Sequence, residues 1–367
     1  LTTTENPLRI ALLTVLALAA CSGGETPSTP APAETKAAAV APAKPDLGID
    51  AAKLAAFAPL PAKMESPSNP ITPEKVELGR ALYYETRLSK NQELSCNSCH
   101  QLDKFGQDGN PTSPGHKGQL GGRNSPTSLN AAGHFVQFWD GRAADVEAQA
   151  KGPVLNPVEM AMPDEASVVA VLKSIPGYEP MFKAAFPGEA DPITYDNMAK
   201  AIGAFERGLV TPSRWDKLLA GDAGALTAEE KAGFNTFVDT GCVACHSGTY
   251  VGGGMYQKLG LVNAWPDESD LGRYAETKND ADKMMFKVPS LRNITQTAPY
   301  FHDGKIATLE EAVKKMAWHQ SGKELTDEQV KSIVTWLGTL EGTVDAAYVA
   351  KPTLPESGPN TPKPDPS

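Results

Sequence analysis

The sequence predicts a mostly α-helical protein made of two related units, and three observations carry that reading. The first is a pentapeptide that occurs twice. Cys96-Asn97-Ser98-Cys99-His100 and Cys242-Val243-Ala244-Cys245-His246 together use all but one of the 5 cysteines in the chain and two of its 6 histidines. Two thiols on one turn with a histidine directly after them form the attachment signature of c-type haem. The sulfurs add across the two vinyl groups, and the imidazole swings under the iron. A thioredoxin-like redox pair or half a zinc site would explain the cysteines and leave both histidines unexplained. The second observation is internal likeness. Pro126 to Trp139-Asp140-Gly141 has the same spacing as Pro289 to His302-Asp303-Gly304. In that register Asn130 meets Asn293, Phe138 meets Phe301, Val146 meets Leu309 and Glu147 meets Glu310, as expected of an internal duplication. The third is helical framing around each pentapeptide, with no long alternating strand run. The expected architecture is two cytochrome c-like haem domains related by duplication, with two covalent haem c groups.

The elements follow in order. Ile10 to Ala20 is an apolar run too short to span a bilayer, and it ends in Leu18-Ala19-Ala20 directly before Cys21. This reads as a lipoprotein signal peptide over residues 1–20, leaving Cys21 as the lipidated residue. Ser22 stands where an Asp would resemble an inner-membrane retention signal, so the expected location is periplasm-facing, lipid-anchored to the bacterial outer membrane. Residues 21–48, rich in Pro, Ala, Thr and Ser, read as a disordered tether. In a first haem domain over residues 49–212, Thr72-Pro73 starts a helix carrying Leu82 and Tyr83 before the first pentapeptide. Met198, Ile202, Phe205 and Leu209 then recur at helical spacing. In a second domain over residues 213–345, the capping box Thr227 to Glu230 opens a helix that bears Phe234, Phe237 and Val238. Thr308 caps another with Leu309, Val313 and Met316 on one face, and Thr326 to Gln329 box a last one with Val330, Ile333, Val334 and Leu337. Residues 346–367 read as a disordered tail. The net charge of -10 argues against nucleic acid and for a partner that presents a basic face.

The two units differ at the sixth position of the iron. Met316 aims a thioether at the interior and is the candidate ligand of the second haem, with Met255, Met284 and Met285 as competitors; thioether ligation raises the potential. The matching residue of the first unit is Pro153, which has no ligand atom. The nearest downstream imidazole is His116, in a Gly-rich loop long enough to fold back over the haem or to stay in solvent. Glu159 projects from a segment stiffened by Pro153, Pro157 and Pro163. In a partly apolar pocket a carboxylate there, its pKa raised by desolvation, can take a proton and return it; on an exposed loop it would be a solvated side chain. Gln149 can hold a ligand by hydrogen bonds without shuttling protons.

The stretch from Cys96 to Met160, with CNSCH, TSPGH, NSPTSLN, QFWDGRAAD and NPVEM, resembles the bacterial dihaem cytochrome c peroxidases. So do VPSLRN, APYFHDG and LEEAVKKM in the second half, and the resemblance runs from about Ile71 to Leu340. It implies that His100 is the proximal ligand of a low-potential peroxidatic haem, and that His116 is a distal histidine released when the other haem is reduced. His246 and Met316 would ligate a high-potential haem. Trp139 would lie between the haems, Gln149 and Glu159 would form the distal pair, and Asn124, Thr297 and Pro299 would hold calcium, the last two through carbonyls. Hydrogen peroxide is then the substrate, a small carrier (cytochrome c or cupredoxin) the donor, and a homodimer the association the family often shows. A dihaem oxidase of an organic or protein substrate, or a plain dihaem electron carrier, are the alternative readings. The best-known such oxidase has tyrosine in place of the methionine.

Overall fold

The structure, a computed structural model, describes residues 46–367. The expected signal peptide, the lipid-bearing Cys21 and the tether as far as residue 45 lie outside the described residues. The fold is mostly helical. Its one small sheet among the described residues pairs Tyr256–Lys258 antiparallel with Met285–Lys287. No helix there is long and apolar enough to cross a membrane.

Each pentapeptide follows a helix locked against a later one. The helix Pro73–Tyr83 starts where Thr72 accepts a hydrogen bond from Lys75 N–H and Pro73 fills the first turn, as its sequence predicts. It crosses Tyr195–Glu206 so closely that a Cβ on Gly79 would stand 1.9 Å from the Ala201 carbonyl oxygen. In the second half Ala228–Asp239, opened by the Thr227/Glu230 capping box, crosses Asp327–Leu337, opened by Thr326/Gln329. There a Cβ on Gly233 would stand 2.1 Å from the Ser332 carbonyl. Backbone contact at both crossings lets the flanking side chains interlock, which holds each pentapeptide on a rigid pair of helices.

Two large cores result. One gathers Leu78, Tyr83, Tyr178, Phe182 and Phe205; the other gathers Trp215, Phe234, Trp336 and Leu337. A small third cluster of Leu259, Trp265, Met284 and Phe286 carries Trp139, Phe301 and Met316 on its surface.

The stretches matched in the sequence share unusual backbone. Asn130 and Asn293 are left-handed at φ 60° and 58°, Phe138 and Phe301 at 66° and 69°, and Gly141 and Gly304 at 69° and 62°. The isolated bridges Gln137–Ala143 and Tyr300–Ile306 recur at the same offset. Both asparagines converge on one hydroxyl: Asn130 Nδ2 and Asn293 Nδ2 donate to Thr211 Oγ1 at 2.7 and 2.9 Å.

The two ends of the described chain depart from expectation. Leu47, Ile49, Leu54 and Phe57 pack into the second core, although residues from 49 onward were expected to belong to the first domain and 46–48 to a disordered tether. The tail 346–367, expected to be disordered, lies along the first half. Tyr348 stacks on Phe205 at 5.3 Å and donates to its carbonyl, Arg87 donates to Pro355 O, and Gln92 to Pro362 O. A proline-rich extended segment cannot pair its own carbonyls, and here side chains of a folded neighbour satisfy them.

Candidate active site

A cavity of about 820 Å³ is lined by Cys96, Cys99 and His100 from the first half and by Cys242, Cys245 and His246 from the second. The His100 ring is set by a 2.9 Å hydrogen bond from Nδ1 to the Pro126 carbonyl, which leaves Nε2 for a metal. Burial lowers the His100 pKa against that carbonyl's pull, and lowers that of His246 to about 4 against the carbonyls of Val251 and Pro289. Both rings are therefore neutral, as an iron ligand must be. Burial pushes the Cys96 thiol up, and the Cys99 thiol to about 11 despite its hydrogen bond with Ser113. Among the described residues no cluster of three or more His, Cys, Asp or Glu is arranged to hold a metal ion, which leaves the half-zinc reading without partners.

The cavity walls differ between the halves. On the first side stand Phe138, Arg142, Gln149, Pro153 and Glu159. Gln149 and Pro153 come from the helix Val146–Leu155, capped by Asp145 and ended one residue beyond its last turn at Asn156. Glu159 is held by Asn156 Nδ2, which donates to Oε1 at 2.8 Å. Burial raises its pKa, with Arg142 and Asn156 pulling the other way. On the second side stand Leu309, Val313 and Met316 from the helix Leu309–Ser321. The competing methionines do not line the cavity: Met284 is buried in the third cluster, Met255 is 37% exposed, and Met285 sits in the small sheet.

Trp139 also lines the cavity. Its Nε1 donates to the Asn124 carbonyl at 3.0 Å, and its ring meets His302 edge-on at 6.4 Å. His116 is not brought to this wall. Its backbone N–H donates to the carbonyls of Val158 and Glu159, and its buried ring turns the other way, with Nε2 3.3 Å from the Ser367 carbonyl. The turn is made by left-handed Lys117 and Gly118, at φ 59° and 71°.

Residues 73–224 match the family model of di-haem cytochrome c peroxidase and residues 230–341 that of cytochrome c. Over 317 residues the chain is 45% identical to the cytochrome c551 peroxidase of Pseudomonas aeruginosa, a match covering 84% of this chain and 90% of that protein. The chain belongs to the dihaem cytochrome c peroxidases. The cytochrome c551 peroxidase of Nitrosomonas europaea is 46% identical, over 82% of this chain and 90% of its own. Among solved structures, a MauG-like protein associated with microbial copper homeostasis aligns with TM-score 0.72 at 29% identity, covering 80% of this chain and 97% of that one. The protein is an oxidoreductase enzyme with two c-type haems, and the cavity fits them. It brings two cysteine pairs and two imidazoles to one cavity.

Three cavity-lining groups escaped the sequence reading. Glu206 ends a helix in the first core, and burial together with the nearby Glu147 pushes its pKa to about 8. His134 and Lys287 face each other at 3.2 Å. Glu206 and Lys287 have the look of surface charges in sequence, and only tertiary packing buries them; His134 lay within the matched stretch without a distinguishing neighbour.

Proposed function

We propose that the protein reduces hydrogen peroxide to water, H2O2 + 2 H⁺ + 2 e⁻ → 2 H2O. The electrons come one at a time from a small soluble carrier, a cytochrome c or a cupredoxin, are taken up at the second haem and pass to the first. The observation that carries this reading is the inequality of the two walls. The second offers a thioether, Met316, while the first offers Pro153 at the matching position with Gln149 and Glu159 beside it. Bound haem supplies one-electron redox chemistry at both sites and, at the first, an iron position free for peroxide.

Glu159 takes the proton from the oxygen nearer the iron and returns it to the departing one, a task helped by its raised pKa. Gln149 orients peroxide through its amide. Met316 and His246 would hold the second haem and keep its potential high, and Trp139 would lie on the route between the sites. His116 would be the gate, closing the first site in the oxidised enzyme and leaving it once the second site is reduced. Its ring turned toward Ser367 is the released position in this reading. Asn124 Oδ1 and the carbonyls of Thr297 and Pro299 form a calcium site. All three residues line the cavity, and Asn124 Nδ2 is tied to the Asn110 carbonyl, which leaves Oδ1 for a hard cation. The shared backbone of the two matched stretches supports their origin by duplication. Lipidation at Cys21, a periplasm-facing position at the outer membrane and a homodimer complete the proposal.

The test is peroxide consumption by the holoenzyme with reduced cytochrome c, before and after one-electron reduction. Because the donor itself reduces the second haem, the oxidised enzyme is expected to start with a lag and the pre-reduced enzyme without one. Equal initial rates would remove His116 as a gate, and no turnover from either would refute the peroxidase reading.

A further inference from the structure

We propose that the Lys287 ammonium is the counter-ion of a haem propionate, held in position by His134. The proposal rests on both haems occupying the cavity. Lys287 ends the second strand, where its backbone N–H donates to the Trp139 carbonyl at 2.8 Å, and it is only 7% exposed. Its side chain lines the same cavity as both pentapeptides. A buried ammonium demands an anion, yet no carboxylate among the described residues bonds to it. The acid that acts on it electrostatically, Asp140, gives its carboxylate to Arg123 and Arg142. Of the three ammonium donors one is taken, by His134 Nδ1 at 3.2 Å. The others have no acceptor among the described residues.

His134 is arranged to serve that ammonium. Burial and the adjacent Lys287 hold its pKa well below the ordinary histidine value, so the ring is neutral and Nδ1 can accept. Accepting there places the ring proton on Nε2, which is buried without a partner. Such an orphan costs stability, a cost that the contact of Nδ1 with the ammonium offsets. The chain also makes room for the ring. A Cβ on Gly253 would lie 2.5 Å from His134 Cδ2, and Tyr250 packs against the ring edge-on at 5.6 Å. Each haem brings two propionate carboxylates, so the cofactors of this cavity supply the anion that the protein withholds. His134 is a positioning residue, and Lys287 is the group that touches the cofactor.

Lys287→Met in the holoenzyme tests the assignment by redox titration, with haem content measured separately. Loss of a positive charge beside a propionate favours the more positive ferric state, so one midpoint potential should fall. Lys287→Arg should restore it, and His134→Leu should move it part of the way in the same direction. A fall confined to the high-potential wave assigns the propionate to the second haem; a fall confined to the low-potential wave assigns it to the first. Unchanged midpoints in Lys287→Met with both haems in place would overturn the proposal. Should the methionine variant fail to load haem, the arginine variant decides: loading supports the charge requirement, and failure of both makes Lys287 a packing residue and overturns it.

Discussion

Glu159 and Gln149 face one cavity with different chemistry, and a single atom separates their roles. A carboxylate can give up and recover a proton, whereas an amide can only hydrogen-bond. Glu159→Gln keeps size and polarity, so peroxide should still reach the first haem while O–O cleavage slows by about 10²- to 10⁴-fold. Stopped-flow mixing of the half-reduced variant with peroxide measures this, and a wild-type rate would return Glu159 to the status of a loop residue. Because burial raises its pKa, the acid limb of the wild-type pH profile should lie above the ordinary glutamate value of about 4.3. That limb should vanish in the variant. On the opposite wall, Met316→His replaces a soft thioether with an imidazole. The potential of the second haem should fall, and activation with it; an unchanged high-potential wave in redox titration would point to a different ligand.

At the scale of elements, the helices were legible because their signals are local. Thr72-Pro73, Thr227 with Glu230 and Thr326 with Gln329 open helices at the predicted residues. The orientation of loop side chains was not legible in the same way. Whether His116 faces the haem or the tail depends on contacts with Val158, Glu159 and Ser367, far from it in sequence. The same holds for the clasp of Asp216 and Arg292. Arg292, 1% exposed, donates to the two Asp216 oxygens at 2.6 and 2.9 Å and so ties the helix Arg214–Leu219 to the segment that follows the strand Met285–Lys287. Burial pushes the Asp216 carboxyl up, but the Arg292 pair and the N–H groups of Leu60 and Ser213 outweigh it and hold it below the usual range. A depressed carboxylate stabilises the fold above its unfolded pKa of about 3.9, and that contribution is lost as pH falls through the folded value. Asp216→Asn should cost about 3–5 kcal/mol at neutral pH by leaving Arg292 buried and unpaired. Its loss of stability below about pH 4 should also be shallower than that of wild type. Denaturant titrations at pH 7 and pH 3.5 check both.

For the whole molecule, the two ends of the described chain cross between the halves. Residues 47–57 complete the second core, and Tyr348, Val349 and Leu354 pack on the first. Neither half is a continuous stretch of chain, and boundaries drawn from composition missed this because proline-rich segments look alike whether free or laid on a surface. The crossing bears on the proposed gate at His116. Lys90 binds the tail through Nζ to Ser367 O at 2.9 Å, and the Lys90 carbonyl accepts from Asp365 N–H. Lys90 N–H in turn donates to the Met160 carbonyl, next to Glu159. The tail end, the distal segment and the outward His116 are thereby joined through one lysine and one carbonyl. Deleting residues 362–367 leaves Tyr348 and Leu354 in place but removes the acceptor of the His116 ring. If the outward ring is the open state of the proposed gate, a hydrogen bond worth about 0.5–1.5 kcal/mol is lost from that state only. Apparent affinity scales with the fraction of molecules that are open. Where that fraction is small, the half-reduced deletion variant should bind cyanide about 2- to 10-fold more weakly than the full chain, with both haem spectra intact. Equal cyanide affinity in the two proteins would show that the loop opens without help from the tail and that the Ser367 contact is incidental to the gate.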